Sequence, residues 1–151
     1  MAYYDAGYIE ETWLVLGDEA AARHQHAQAH AGQRARRQHV AAWYRENLKD
    51  CPGLVLPQEP ADARSNWQSY CVRLPDHADQ VQVMQQLLDA GIATRRGIMC
   101  AHREEVYRDS RHAPLLHSEA AQDRTIVLPL YPQMTLAEIE VVVTTLKKAT
   151  E

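Results

Sequence analysis

The order of helical and extended segments after Val40 constrains the fold of this chain more than any other sequence feature. Segments with apolar residues at helical spacing alternate with short runs of strand-forming residues that Pro or Gly bounds. The predicted order is helix, strand, helix, strand, loop, short helix, strand and helix. Three or four short strands with intervening helices predict an α/β fold, an α+β two-layer sandwich. The helices would cover one face of a small sheet and leave the other face to dock.

Extended segments are predicted where β-branched and aromatic residues lie next to turn-forming residues. Asn66–Leu74 and Ile92–Thr94 are the first two predicted strands. Thr125–Leu128, with the sequence TIVL, is the third. The short apolar run Leu54–Leu56 is a candidate for a fourth strand.

The first two helices are predicted from apolar stripes. The stripe of the first helix consists of Val40, Trp43, Tyr44 and Leu48. The second helix is predicted over Asp76–Ala90, with Asp76 as its N-cap and Gly91 at its C-terminal end. Its inner face is predicted to consist of Val81, Met84, Leu87 and Leu88.

The last helix has the clearest start signal. Thr135 and Glu138 have the spacing of a capping box, in which each residue satisfies a free backbone amide of the other. The inner face of this helix is predicted to consist of Leu136, Ile139, Val142, Val143 and Leu146. Ser118 is expected to cap a shorter helix across Glu119–Asp123.

Composition divides the chain into two parts. Residues 1–35 are rich in Ala, Gln, His and Arg and have poor apolar periodicity, so they predict an N-terminal arm with a marginal helix. Residues 36–151 have the pattern of a folded domain. The total of 151 residues is long enough to bury one core without disulfides or metals.

Two features near the N-terminus resemble ligand sites. His24, His26 and His30 include a pair four residues apart, a spacing that could hold a metal on a helix. Because no carboxylate or cysteine completes the set, exposed polar residues are the favoured interpretation and no metal site is predicted. Gln33–His39 is basic but lacks interleaved aromatic residues, so no nucleic-acid binding is expected.

The overall composition argues against several classes of protein. The formal net charge of −4 disfavours non-specific binding to nucleic acid or anionic membranes. No apolar run approaches the roughly 20 residues that span a bilayer, and the N-terminus lacks a secretory signal pattern. Cys51, Cys71 and Cys100 are odd in number and widely spaced, which favours free thiols in a reducing compartment. We therefore expect a cytoplasmic protein.

Three segments have the order and spacing of one enzyme family. They are RSNWQSYCVRLP (Arg64–Pro75), GIATRRGIMCAH (Gly91–His102) and LHSEAAQDRTIVLPLYPQMT (Leu116–Thr135). Together they resemble the C-terminal domain of the DegT/DnrJ/StrS sugar aminotransferases, from about Arg36 to Glu151. The resemblance implies a fold-type I enzyme that uses pyridoxal phosphate (PLP) to transfer an amino group to a nucleotide-linked keto-sugar.

The resemblance also implies that the family's large domain, with its Schiff-base lysine, is absent from this sequence. The only lysines are Lys49, Lys147 and Lys148, and none has the context of the family's lysine. No catalytic residue is therefore assigned, and no cofactor is expected on this chain alone. The arm before Arg36 departs from the family, which suggests a truncated gene, a fragment or a frameshifted start.

Arg95 and Arg96 are the first candidate substrate-binding residues, because they follow a predicted strand and precede Gly97. Neighbours in a strand point to opposite faces, so one guanidinium could bind a phosphate or carboxylate while the other pairs with a local carboxylate. The resemblance places this loop at the substrate cleft. A solvated pair that holds Glu104 or Glu105 is the alternative.

His102 closes the same motif, and the resemblance places it near the substrate as a hydrogen-bond donor. A structural histidine bonded to the backbone is the alternative. A nucleophilic pair of Cys100 and His102 is a remote option, because the family pattern explains both residues without it.

Trp67 and Tyr70 are the remaining candidates for substrate contact. They lie three residues apart on the first predicted strand, which predicts opposite faces. One ring could stack on a sugar or base at the cleft wall, although packing in the core is the favoured interpretation for strand aromatics.

Two functions fit these observations. The first is the small domain, or a fragment, of a PLP-dependent aminotransferase for nucleotide-linked keto-sugars. It would be inactive alone and would pack on the large domain or on an aminotransferase subunit. The second is a stand-alone interaction or regulatory module that docks on a full-length aminotransferase or forms a homodimer through an uncovered apolar face. A gene remnant without selected activity is a third explanation.

Overall fold

A computed structural model describes residues 32–107 and 109–151 of the chain. The chain divides into two units, Met1–Ala35 and Arg36–Glu151, and every strand of the described part belongs to the second unit. The predicted arm, with its three histidines, falls almost entirely outside the described residues.

Four helices and three strands make up the described part. The first helix, α1, covers residues 32–48. The later elements are β1 (Tyr70–Arg73), α2 (Gln80–Asp89), β2 (Arg95–Arg96), two 3₁₀ turns (Ala101–Arg103 and Glu105–Tyr107), α3 (Leu116–Arg124), β3 (Thr125–Leu128) and α4 (Leu136–Ala149).

The three strands form one antiparallel sheet in the order β1–β3–β2. The central strand β3 has the predicted bounds of the TIVL segment. Tyr70 and Val72 of β1 alternate with less buried neighbours, and their cross-strand partners Leu128 and Ile126 are buried as well. One face of the sheet is therefore apolar, and the mixture of helices with a small sheet confirms the predicted fold class.

The core lies between this face and the helices. Buried residues of α1, β1, α2, β3 and α4 form a single hydrophobic cluster. In α1 the predicted stripe is confirmed for Val40, Tyr44 and Leu48, whereas Trp43 is half-buried against the cluster. The apolar stripe thus holds α1 on the sheet.

The capping box of α4 is confirmed. The Thr135 hydroxyl accepts a hydrogen bond from the Glu138 amide, and the Glu138 carboxylate accepts one from the Thr135 amide at 2.7 Å. The predicted inner face is correct for four buried residues: Ile139, Val142, Val143 and Leu146. Leu136 is 47% exposed, because side chains point towards the helix N-terminus and that of the first helical residue extends past the end of α4.

The predicted start of α2 is wrong. The N-cap is Asp79, whose carboxylate accepts a hydrogen bond from the Gln82 amide at 2.9 Å. A turn closed by Ala78 N–H and the Pro75 carbonyl delays the helix. Asp76 instead forms ion pairs with arginines of β1 and α3.

The predicted inner face of α2 is also wrong in part. Val83 and Leu87 are buried, whereas Val81 and Leu88 are 60% and 57% exposed. Gln80 occupies the inner face because its amide nitrogen donates to the carbonyls of Gln122 and Thr125, at 2.8 Å each. A polar residue with satisfied hydrogen bonds therefore shifts the buried stripe by one position.

Three strand predictions need correction. The segment Asn66–Leu74 is extended only from Tyr70, because Trp67 has a left-handed φ of 49°. Ile92–Thr94 is not a strand, and β2 consists of the two arginines that follow it. Leu54–Leu56 contributes one isolated bridge, between Val55 and Arg73.

The two helix ends predicted from single residues have different outcomes. Gly91 lies after α2 with a φ of 79°, as predicted for a residue that ends a helix. Ser118 lies inside α3, whose N-cap is Leu115, so its predicted capping role is wrong.

None of the helices over residues 32–107 and 109–151 has the length and apolar content needed to cross a membrane.

Candidate functional site

The two candidate arginines form the edge strand β2. Arg95 lies opposite Val127, and Arg96 lies opposite Ile126. Directly opposed residues of an antiparallel pair share a face, and successive residues alternate. The two exposed side chains therefore lie on opposite faces, Arg96 on the face that carries the core and Arg95 on the other.

The side chain of Arg95 lies beside the chain that leads into β1. Its guanidinium donates a hydrogen bond to the Ser69 hydroxyl at 3.4 Å. Both residues line an open cavity of about 320 Å³, to which Gln68 and Thr94 also contribute. Sequence reasoning missed Ser69, because no spacing rule connects a serine to an arginine 26 residues away.

The surroundings of Arg96 differ. It lines a separate cavity of about 300 Å³ with the outer face of α2, including Val81 and Leu88. Arg96 also lies close enough to Asp123 of α3 to help lower the pKa of that carboxyl group. The acidic neighbours predicted from the sequence were Glu104 and Glu105, and Asp123 was not among them.

His102 belongs to an ionic cluster that joins the loop after β2 to α3. Its Nε2 lies 3.0 Å from a Glu119 carboxylate oxygen, and its ring packs on His112 with centroids 4.7 Å apart. Arg103 binds the other Glu119 oxygen at 3.6 Å and both oxygens of Asp123. The imidazole thus has a side-chain partner rather than the backbone partner of the alternative interpretation, while its role towards a substrate stays a prediction.

Gly97 lets the same loop lie close to the sheet. Its amide donates to the Thr125 carbonyl at 3.0 Å. A β-carbon at this position would overlap the Thr125 side chain and lie 2.7 Å from the Cys71 sulfur. Only glycine fits this approach without a shift of its neighbours, so the residue fixes the path of the loop.

The Cys100 thiol has a structural environment. Its amide donates to the Gln122 side chain at 2.8 Å, and its sulfur lies 3.2 Å from the Ser118 carbonyl. His102 is bound to Glu119 instead of the thiol. This geometry does not support the remote option of a nucleophilic pair.

Trp67 and Tyr70 do not point to opposite faces as predicted. Both are buried in the core cluster, with ring centroids 5.6 Å apart. The left-handed backbone at Trp67 removes the strand alternation on which the prediction rested. Their burial agrees with the favoured core interpretation, and stacking on a substrate stays a prediction.

The three lysines lie on helices and on a turn. Lys49 follows α1 and pairs with Glu46, whereas Lys147 and Lys148 lie in the last turn of α4. Within residues 32–107 and 109–151, no group of three or more His, Cys, Asp or Glu side chains could hold a metal ion.

Comparison with known proteins identifies the family that shares this sequence and fold. The model of the DegT/DnrJ/EryC1/StrS aminotransferase family matches residues 19–147, and so begins before the predicted domain boundary at Arg36. A dTDP-4-dehydro-2,3,6-trideoxy-D-glucose 4-aminotransferase from Saccharopolyspora spinosa is 36% identical over 118 residues. That match covers 77% of this chain and 30% of the relative.

Solved structures agree with the sequence match. DesI, solved in the presence of its TDP-sugar product, superposes with a TM-score of 0.73 at 28% identity over 78% of this chain and 31% of its own. The aminotransferase TlmJ from Streptoalloteichus hindustanus gives a TM-score of 0.69 at 26% identity over 76% of this chain and 31% of its own. The chain spans less than a third of the length of these relatives. It belongs to the DegT/DnrJ/EryC1/StrS aminotransferase family.

Proposed function

We propose that this chain supplies the small, C-terminal domain of a PLP-dependent aminotransferase that acts on nucleotide-linked keto-sugars. The observation that carries the proposal is an edge strand of two exposed arginines, presented by a fold that matches sugar aminotransferases. An anionic nucleotide-sugar needs cationic side chains of this kind at the cleft. The relatives' names support the sugar substrate.

The chain's own residues do not fit the cofactor. PLP enzymes bind the cofactor through a lysine whose surroundings tune its chemistry. Here Lys49 is paired with Glu46 at the exposed end of α1, and the two lysines of α4 lie where cations favour the helix dipole. No step through PLP is therefore assigned to these residues, and we expect the chain to be inactive by itself.

A chimera tests the proposal. The region of the S. spinosa relative that matches this chain would be replaced by the corresponding residues of this chain. We expect the PLP-loaded chimera to aminate a TDP-linked keto-sugar with glutamate as donor, whereas this chain mixed with PLP and both substrates gives no product. A soluble chimera that binds PLP but gives no product, or turnover by the chain alone, would contradict the proposal.

A second candidate function rests on exposed apolar residues. Val81 and Leu88 project from α2, and an open, mostly apolar cavity of about 610 Å³ is lined in part by Val141 and Tyr131. A stand-alone module could use such surface to dock on an aminotransferase or on a second copy. Light scattering of the purified chain tests the docking module. A strictly monomeric and highly soluble chain argues against this second candidate function.

A further inference from the structure

The two arginines of β2 differ in electrostatic surroundings. Arg96 acts on Asp123, whose pKa is lowered first by the hydrogen bond from Arg103 and also by the charge of Arg96. Arg95 is within ion-pair distance of no carboxylate in residues 32–107 or 109–151. Its partner is the neutral Ser69 hydroxyl. The positive charge of Arg95 is therefore available to a ligand, whereas that of Arg96 is partly offset.

The cavity beside Arg95 presents several hydrogen-bonding residues around this charge. Ser69, Gln68 and Thr94 line it together with Arg95, and Val127 and Pro129 contribute apolar surface. Two hydroxyls and a side-chain amide can all donate hydrogen bonds. With the planar fork of the guanidinium, they offer more donors than the two oxygens of one carboxylate require.

We propose that Arg95 and Ser69 form the subsite that binds the diphosphate of the nucleotide-linked sugar. This inference rests on the proposed function and makes it specific, since it says which of the two adjacent arginines binds the ligand. The diphosphate presents several anionic acceptor oxygens, which match the guanidinium and the neighbouring hydroxyls. Arg96 lies on the opposite face of β2 and lines a different cavity, so it is not part of this subsite.

The opposite faces of β2 explain how two neighbours take different roles. Arg95 shares its face with Val127, on the side of the sheet away from the core cluster. Arg96 shares its face with Ile126 and lies against the outer surface of α2. Strand alternation therefore directs one charge to the cavity and the other to the helices.

The test is a titration of the purified chain with TDP. NMR monitors the chemical shifts of the Ser69 amide and of the Arg95 side-chain Nε–H during the titration. Inorganic pyrophosphate and glutamate are titrated separately, because glutamate carries the competing carboxylate. We expect saturable shifts with TDP and pyrophosphate. Arg95→Ala is expected to weaken TDP binding about tenfold or more, the loss typical of a hydrogen-bonded charge.

Two variants control for charge and folding. Arg64→Ala removes the same charge from an exposed position and is expected to leave the dissociation constant for TDP unchanged. Arg95→Lys keeps the charge without the planar fork and is expected to give intermediate affinity. The amide spectrum of each variant away from residues 68–69 and 94–96 reports whether the fold is intact.

Several outcomes would overturn the subsite. They are equal affinity in the wild type and Arg95→Ala, equal losses in Arg95→Ala and Arg64→Ala, or shifts with glutamate but not with TDP. Absence of Arg95-dependent shifts at tens of millimolar TDP would also overturn it. Each result is independent of turnover by the chimera, so the subsite can fail while the proposed function stands.

Discussion

Arg103 binds both carboxylate oxygens of Asp123, with nitrogen–oxygen distances of 2.5 and 3.0 Å. This pair joins the first 3₁₀ turn after β2 to the C-terminal half of α3. Arg103 also lies 3.6 Å from Glu119, the bound partner of His102, so one guanidinium links two carboxylates of α3 to the turn that carries the candidate histidine.

The first prediction follows from this pair. The hydrogen bond from Arg103 holds the pKa of Asp123 below its ordinary value of 3.8. Since the pKa in the folded state is lowered, the stabilisation is complete above the pKa of the unfolded chain and is lost as the pH falls through the folded-state value. A carboxyl NMR titration should give a midpoint for Asp123 below 3.8.

Arg103→Gln should raise this midpoint and speed amide exchange in residues 101–107. Arg111→Gln removes an exposed charge from the same loop and should leave both measurements unchanged. An unchanged Asp123 midpoint in Arg103→Gln would show that the pair does not form in solution.

Gly97→Ala should destabilise the domain. The added methyl group would overlap the side chain of Thr125 on β3 and approach the sulfur of Cys71 on β1. Forcing a methyl group into such a site typically costs about 1–3 kcal/mol. Urea denaturation measures the loss, with Gly32→Ala as the control, because nothing lies within 4 Å of a β-carbon there and alanine favours a helix. Equal stability of the two variants would refute the close approach.

Replacing each of two buried tyrosines by phenylalanine removes one hydroxyl group and gives a matched pair of variants. The Tyr44 hydroxyl donates to the Pro129 carbonyl at 2.8 Å, whereas the Tyr70 hydroxyl has no hydrogen-bond partner among the described residues. Tyr44→Phe should lower the free energy of unfolding by about 1 kcal/mol. Tyr70→Phe should leave it unchanged or raise it, because it removes an unsatisfied buried group. Denaturant melts compare the two, and equal losses would contradict the assignment.

Tyr70 also predicts an alkaline transition. Burial raises its pKa from 10.0 to about 12. Because the pKa in the folded state exceeds that of the unfolded chain, the protonated phenol stabilises the fold below pH 10. This stabilisation is lost as the pH rises through about 12. Tyrosinate absorbance and far-UV circular dichroism, followed together, should show ionisation of the buried tyrosines and unfolding in the same range. Tyr70→Phe should lower the amplitude of this absorbance change and shift unfolding to higher pH.

Val83 and Val81 test which face of α2 is buried. Val83 is 1% exposed and Val81 is 60% exposed. Val83→Ala should cost about 2 kcal/mol, as expected for the removal of two buried methyl groups. Val81→Ala should have little effect on the free energy of unfolding and could stabilise the helix slightly. If Val81→Ala lost more unfolding free energy than Val83→Ala, the buried face of α2 would be the one predicted from the sequence.

The elements that could be predicted depend on local interactions. A capping box needs only Thr135 and Glu138, three residues apart, and the left-handed position after α2 needs only Gly91. The central strand could be predicted because β-branched residues lie between a helix and Pro129. In each case the interacting groups are close neighbours in the sequence.

The failed predictions depend on partners far along the chain. Gln80 lies in the core because carbonyls more than 40 residues later accept its amide, and this rotates the buried face of α2. The same holds for the candidate site. Ser69 contacts Arg95, and Asp123 lies close enough to feel the charge of Arg96, only because the folded chain brings these distant residues together.

The sequence by itself determined the family, the fold class and the presence of two adjacent arginines next to Gly97. Local capping, apolar spacing and motif order carry that information. Only the tertiary structure decided that Arg95 faces an open cavity while Arg96 lies on the core side of the sheet, beside α2. The physical reason is that the surroundings of a charge are set by residues distant in sequence, which only the folded chain brings together.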